Sequence, residues 1–146
     1  MPIYRVIAAV NTAPGHYDGY TPGDQLACVT ARAGGSPIVF ALDAESTAMV
    51  LDEMWTLGNR ARDDRQGRCW PTDVRSLSTG DVLIVYPPDH PRVAPQAFAV
   101  APVGFARIPA PPPSAWLALE GSNATSSPAP QANVSTERGG PAREVL

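Results

Sequence analysis

Lysine is absent from this chain, and all eleven basic residues are arginine. Acidic residues outnumber them, fourteen to eleven, for a net charge of −3. A chain with that balance lacks the basic surface that general binding to a phosphate backbone needs. The excess acid lies in residues 1–120, because Arg138 and Arg143 offset Glu137 and Glu144 further on. Cysteine is scarce. Cys28 and Cys69 alone make neither a disulfide framework nor a metal site, and the expectation is two buried, reduced thiols. No stretch approaches the roughly 20 apolar residues of a membrane span. The apolar run from Ile3 to Val10 is too short for the central region of a signal peptide. The expectation is a soluble, cytoplasmic protein that does not engage a membrane. Asn123 and Asn133 fit the glycosylation pattern, which has no meaning without secretion. G-x-S-x-G, P-loop, H-E-x-x-H and dinucleotide fingerprints are all missing, so the expectation is a non-enzyme with no cofactor and no metal.

What is present is enough for one domain: 146 residues, 44% of them apolar. Ile3 to Val10 reads as a strand, with Tyr4, Val6, Ala8 and Val10 on one face. Asn11 to Pro22 is turn-rich. A second strand covers about Gln25 to Ala31, and Ile38-Val39-Phe40 is either a short strand or the lead-in to a helix. The clearest helix runs from about Ala44 to Leu57, with Asp43 as its N-cap and Gly58-Asn59 as its stop. Its apolar face carries Ala48, Leu51 and Trp55, flanked by Val50, Met54 and Leu57. Arg60 to Pro71 is a polar loop. Val82 to Tyr86 is an unbroken apolar run, read as a central strand. Ala97 to Val100 and Phe105 to Ile108 are two further strands. Residues 114–119, with Trp116, are expected to dock back on the domain. Prolines, seventeen in all, concentrate from Pro87 onward. From residue 120 the Ser, Pro, Ala, Asn and Gly composition, without periodicity, reads as disorder. The fold class expected is α+β: a small, mostly antiparallel sheet on one main helix, over residues 1–119, with a disordered tail over 120–146.

Three groups of residues could carry chemistry. The first is Arg75-Ser76-Leu77-Ser78-Thr79-Gly80-Asp81. Hydroxyls and a carboxylate in a tight turn satisfy backbone donors and fix the start of a strand, and Gly80 suits a positive φ. That account covers every residue but Arg75. The alternative is a small anion or partner site made by Arg75, Ser76, Ser78 and Asp81. The second group is Arg60, Arg62, Arg65 and Arg68, with Arg75 and Trp70. Arginines interleaved with an aromatic can grip a nucleic-acid backbone and stack on a base, or meet an acidic protein. Asp63, Asp64 and Asp73 sit among them and reduce the field, so a self-paired solvated loop is the competing reading. The third group is His16, Tyr17, Asp18 and Tyr20. His with Asp two positions on suits acid–base or metal chemistry, but no matching ligand set accompanies it.

Arg75-Ser76-Leu77-Ser78-Thr79-Gly80-Asp81-Val82 resembles the "SLS-x-[GS]-D-V" signature of YodL-like domains of phage, plasmid and conjugative-element proteins. Gly104-Phe105-Ala106-Arg107-Ile108-Pro109 is similar to that family's closing "G-F-x-x-[IL]-P". The segment Leu51 to Asn59 stands where its helix stands. Tyr20-Thr21-Pro22-Gly23-Asp24-Gln25-Leu26-Ala27-Cys28-Val29 resembles the "Y-x-x-G-D-x-L-x-x-V" of small actinobacterial members. The resemblance spans roughly residues 1–109. It implies a mobile-element setting rather than a reaction. The function expected is therefore an accessory protein that binds another macromolecule, a host defence or replication component for instance. The partner expected is a protein, with nucleic acid at the Arg60–Arg75 loop as the alternative.

Overall fold

Five consecutive apolar residues, Val82 to Tyr86, leave no polar face for solvent, so that strand must be covered on both sides. All five are buried. The computed structural model describes residues 1–32 and 34–111. Their elements are β1 (Ile3–Asn11), a 3-10 turn (His16–Asp18), β2 (Leu26–Cys28), β3 (Phe40–Asp43), α1 (Thr47–Gly58), β4 (Val82–Tyr86), β5 (Gln96–Val100) and β6 (Phe105–Ile108). The fold is α+β, with a mostly antiparallel six-stranded sheet and one α-helix. The spatial order is β2-β1-β4-β5-β6, with β3 also paired to β1. β1 is long enough to serve two partners on one flank: Ile3–Val6 pairs with β3 and Ala9–Asn11 with β2. β4 lies between β1, with Ile7 opposite Ile84, and β5, with Phe98 opposite Leu83. The expected domain end at 119 and the disordered tail over 120–146 lie outside the described residues.

Alternation along the strands turns Tyr4, Val6, Ala8, Phe40, Leu42, Leu83, Val85, Phe98 and Val100 toward one side. There they form a single cluster with Val50, Leu51, Met54 and Leu57 of α1. Trp70 closes it, its ring stacked on Phe40 at 6.2 Å between centroids. Burial of each large side chain in that cluster contributes about 1.5–3 kcal/mol.

The helix differs from its sequence reading at its start and in its buried face. It starts later, at Thr47, because Ser46 rather than Asp43 is the N-cap: the Ser46 Oγ accepts the Met49 N–H at 3.2 Å, while Asp43 ends β3. Its buried side is Val50, Leu51, Met54 and Leu57. Trp55, expected in the core, is 44% exposed, and Ala48 is exposed as well. The apolar positions fit two stripes that share Leu51, and sheet packing selects the one centred on Met54. The stop falls where expected, with Gly58 the last helical residue and Asn59 the C-cap. Arg60, not a glycine, takes the left-handed position after the helix, at φ 66°. The Arg60 N–H donates to Leu57 O and the Ala61 N–H to Thr56 O, the paired bonds of a Schellman end. Gly58 is small for another reason. A Cβ there would lie 2.6 Å from the Cβ of Leu77.

The cysteines also depart from expectation. Cys28 is half-buried on β2, and Cys69 is exposed in the loop.

Candidate functional site

Beyond Ala9–Val82 the ladder between β1 and β4 runs out, and Asn11 would be left with an unpaired N–H and C=O. The Arg75–Asp81 segment supplies both partners. Asp81 Oδ1 accepts the Asn11 N–H at 2.8 Å, and Arg75 Nη2 donates to Asn11 O at 3.0 Å. The two side chains also bind each other in a fork: Nη2 to Oδ1 at 2.7 Å and Nη1 to Oδ2 at 2.9 Å. Ser78 N–H donates to Oδ2 at 2.8 Å, which gives each carboxylate oxygen two donors. The Asp81 side chain is wholly buried, whereas Arg75 keeps 39% of its side chain in solvent. A buried carboxylate is tolerated only with such a donor set.

The rest of the Arg75–Asp81 segment locks this corner in place. Leu77, 2% exposed, packs on Gly58, and its N–H donates to Gly58 O at 2.9 Å. Ser76 O and Ser78 Oγ accept from Arg75 Nη1 at 3.2 and 2.7 Å. Gly80 has φ 93°, and a Cβ on it would run into the backbone carbonyl of His16. Arg75, the residue that turn chemistry left without a role, thus binds the buried Asp81 and completes β1.

Two residues outside the sequence candidates join this network. Asn11 Nδ2 donates to Gly80 O at 3.0 Å and to Asp24 Oδ2 at 2.9 Å. Asp24 Oδ2 also accepts the Thr21 N–H at 2.9 Å. These bonds, that from Asn11 first, hold the Asp24 carboxyl below its ordinary value. Tyr20 is pushed up, by burial and then by the charge of Asp24. An asparagine ending a strand just ahead of Thr-Ala-Pro-Gly was the available signal. Its partners are up to 70 positions away in sequence, so spacing alone could not name them. His16 belongs to the same corner. A carbonyl only accepts, so the 3.2 Å contact from Nδ1 to Thr79 O places a proton on Nδ1. Tyr17, 70% exposed, meets the His16 ring edge-on. Among the described residues no cluster of His, Cys, Asp and Glu could hold a metal ion.

The arginine loop is organised by a buried acid, Asp64. Its Oδ1 accepts the N–H groups of Gln66 and Arg68 at 2.8 and 2.7 Å, and its Oδ2 accepts that of Ala41 at 3.0 Å. The Arg65 N–H in turn donates to Ala41 O at 3.0 Å. The loop therefore covers the outer edge of β3. Its arginine side chains are engaged within the chain: Arg60 with Pro71 O and Val74 O, Arg62 with Glu53, Arg65 with Asp43, and Arg68 with Val39 O and Asp64. Arg62, Arg65 and Arg68 remain about half exposed. Trp70, expected beside them as a stacking platform, is 2% exposed, with its Nε1 donating to Arg75 O at 2.9 Å. Its ring is part of the core and is not available to a base.

No family model matches the chain, and no curated protein and no solved structure matches it. No helix among the described residues is long and apolar enough to cross a membrane.

Proposed function

We propose that this chain is a non-enzymatic accessory protein that binds another protein, and that it does so by taking a strand of the partner at the outer edge of β6, which no described strand pairs. The mobile-element setting of the proposal rests on the YodL-like resemblance of Arg75–Val82 alone. The contact itself rests on a contrast between the two sides of the sheet. The outer edge of β3 is covered by Asp64 and Arg65, while no described strand pairs with the outer edge of β6.

Which groups β6 offers follows from its hairpin. The Ala101 N–H donates to Gly104 O at 3.0 Å, so that pair is hydrogen-bonded. Bonding alternates along an antiparallel ladder, and Ala106 and Ile108 therefore turn their backbone groups toward β5. The N–H and C=O groups of Phe105 and Arg107 face outward. Strand addition uses such groups for affinity and alternate side chains for selection. Val103, 92% exposed at the tip of the hairpin, adds an apolar contact. Nucleic acid at Arg60, Arg62, Arg65, Arg68 and Arg75 is the weaker reading, because those guanidinium groups already have partners and Trp70 is buried.

The test is affinity capture with three chains. Arg107→Pro removes an outward N–H without touching the β5 ladder, and Arg107→Ala removes the charge only. The expected result is a captured protein that survives nuclease, is kept by Arg107→Ala and is lost with Arg107→Pro. Binding that falls steeply with salt and disappears in Arg62→Ala/Arg65→Ala/Arg68→Ala would replace this reading with the nucleic-acid one.

A further inference from the structure

α1 packs on the sheet through Val50, Leu51, Met54 and Leu57. Its other side is not the polar surface that such a helix normally turns to water. Trp55 is 44% exposed and Met49 39% exposed, and Ala48 is exposed as well. Single apolar side chains scattered on a surface need no explanation. These two differ, because they are the only exposed large apolar side chains among the described residues that share one helix or strand. Asp52 stands between them, three positions from each, and residues at that spacing are neighbours on a helix surface. The two acids of α1 contrast. Glu53 is met by Arg62. Asp52 is exposed, and its carboxylate meets no cation among the described residues; only its backbone carbonyl is used, accepting from Thr56 Oγ1 at 3.2 Å.

We propose that this side of α1 is a docking surface for a basic segment of a partner protein. One arginine or lysine of that segment lies with its aliphatic stem across the Trp55 ring and its charge against the Asp52 carboxylate, and an apolar neighbour meets Met49. Charge complementarity selects this occupant. A long cationic side chain uses an aromatic face and a carboxylate together: the stem buries apolar area, and the head is drawn to both ring and acid. A purely apolar partner would bury the Asp52 charge unpaired, and an acidic one would be repelled. The chain itself is a poor source of the cation. It has no lysine, and Arg60, Arg62, Arg65, Arg68, Arg75 and Arg92 are engaged in bonds of their own. Trp and Met are also the residue types enriched where proteins meet. The surface uses neither β6 nor the Arg75–Asp81 corner, so it stands or falls separately from the strand-addition reading.

The test uses the full chain, labelled with nitrogen-15 and titrated with a short synthetic peptide of arginine, leucine and serine. The same peptide with glutamate in place of arginine is the control. The expected result is movement of the Trp55 indole resonance and of the Ala48–Thr56 amides, with the buried Trp70 indole unmoved and no response to the glutamate peptide. Trp55→Ala and Asp52→Asn are each expected to weaken binding by about three- to tenfold, the range for a cation–π contact and an interface tryptophan. Arg107→Pro is expected to leave this binding unchanged. An unmoved Trp55 resonance would overturn the proposal. So would equal binding of the glutamate peptide, or binding that neither α1 variant weakens. Trp55 shifts that grow with protein concentration in the absence of peptide would overturn it too, by giving the surface to a second copy.

Discussion

Arg75 meets Asp81 through two parallel bonds of 2.7 and 2.9 Å, and the same pair completes the backbone of Asn11. One fork thus joins the turn ahead of β4 to the end of β1. Removing Arg75 leaves a buried carboxylate with two donors fewer. Arg75→Ala is expected to destabilise by about 2–4 kcal/mol, discounted from the wholly buried case because the guanidinium is partly in water. Arg75→Lys recovers only part of this, since an ammonium cannot make the fork. Denaturant melts of both variants check it, and equal stability of Arg75→Ala and wild type would refute it.

Gly80 is required twice over, by its φ of 93° and by the His16 carbonyl beside it. Gly80→Ala is expected to cost more than the roughly 1–2 kcal/mol of a left-handed alanine in open space. Gly104, also left-handed at φ 72° but with nothing near it, is the control. Thermal melts should place Gly80→Ala well below Gly104→Ala.

The two described tryptophans on and beside α1 should behave oppositely. Trp70 is stacked on Phe40 and hydrogen-bonded to Arg75 O, so Trp70→Ala is expected to cost about 3–5 kcal/mol. Trp55 is 44% exposed, and Trp55→Ala should cost under about 1 kcal/mol. Chemical denaturation of the two single variants separates them.

Asp24 sets an acid limit. Its carboxyl is held below the ordinary value of 3.8 by Asn11 and Thr21. A lowered folded value means that the unfolded chain takes up the proton first. The contribution is therefore whole above pH about 4 and is lost as pH falls through the folded value. Asp24→Asn should flatten this part of the acid limb. Melting midpoints of both chains between pH 7 and pH 2.5 measure it, and parallel acid limbs would count against the assignment.

Much of the fold is legible in the sequence. β4 was readable because five apolar residues in a row have no other stable place. β1 was readable because Tyr4, Val6, Ala8 and Val10 alternate with their neighbours. The start of the helix was harder, since Asp43 and Ser46 are both good caps and only β1–β3 pairing settles which residue is still in the sheet. Gly58 does end the helix, as the sequence suggests, but its smallness also answers Leu77, nineteen positions later.

The site divides in the same way. Turn chemistry around Ser78, Gly80 and Asp81 follows from residue types, because hydroxyls, carboxylates and glycine satisfy or relieve the backbone within a few positions. The roles of Arg75, Asn11, Asp64 and Trp70 do not. Each is defined by a partner brought close by the sheet: Asp81 and Asn11 across 70 positions, Asp64 and Ala41 across 23. Sequence by itself determined β1, β4, β5, β6, the body of the helix and the turn residues, since these depend on local periodicity and backbone preference, but not β3, whose residues it divided between a lead-in and a helix cap. Only the tertiary structure decided which charges are buried, which aromatic is core and how the described strands pair, because desolvation and pairing depend on neighbours that the order of residues does not place.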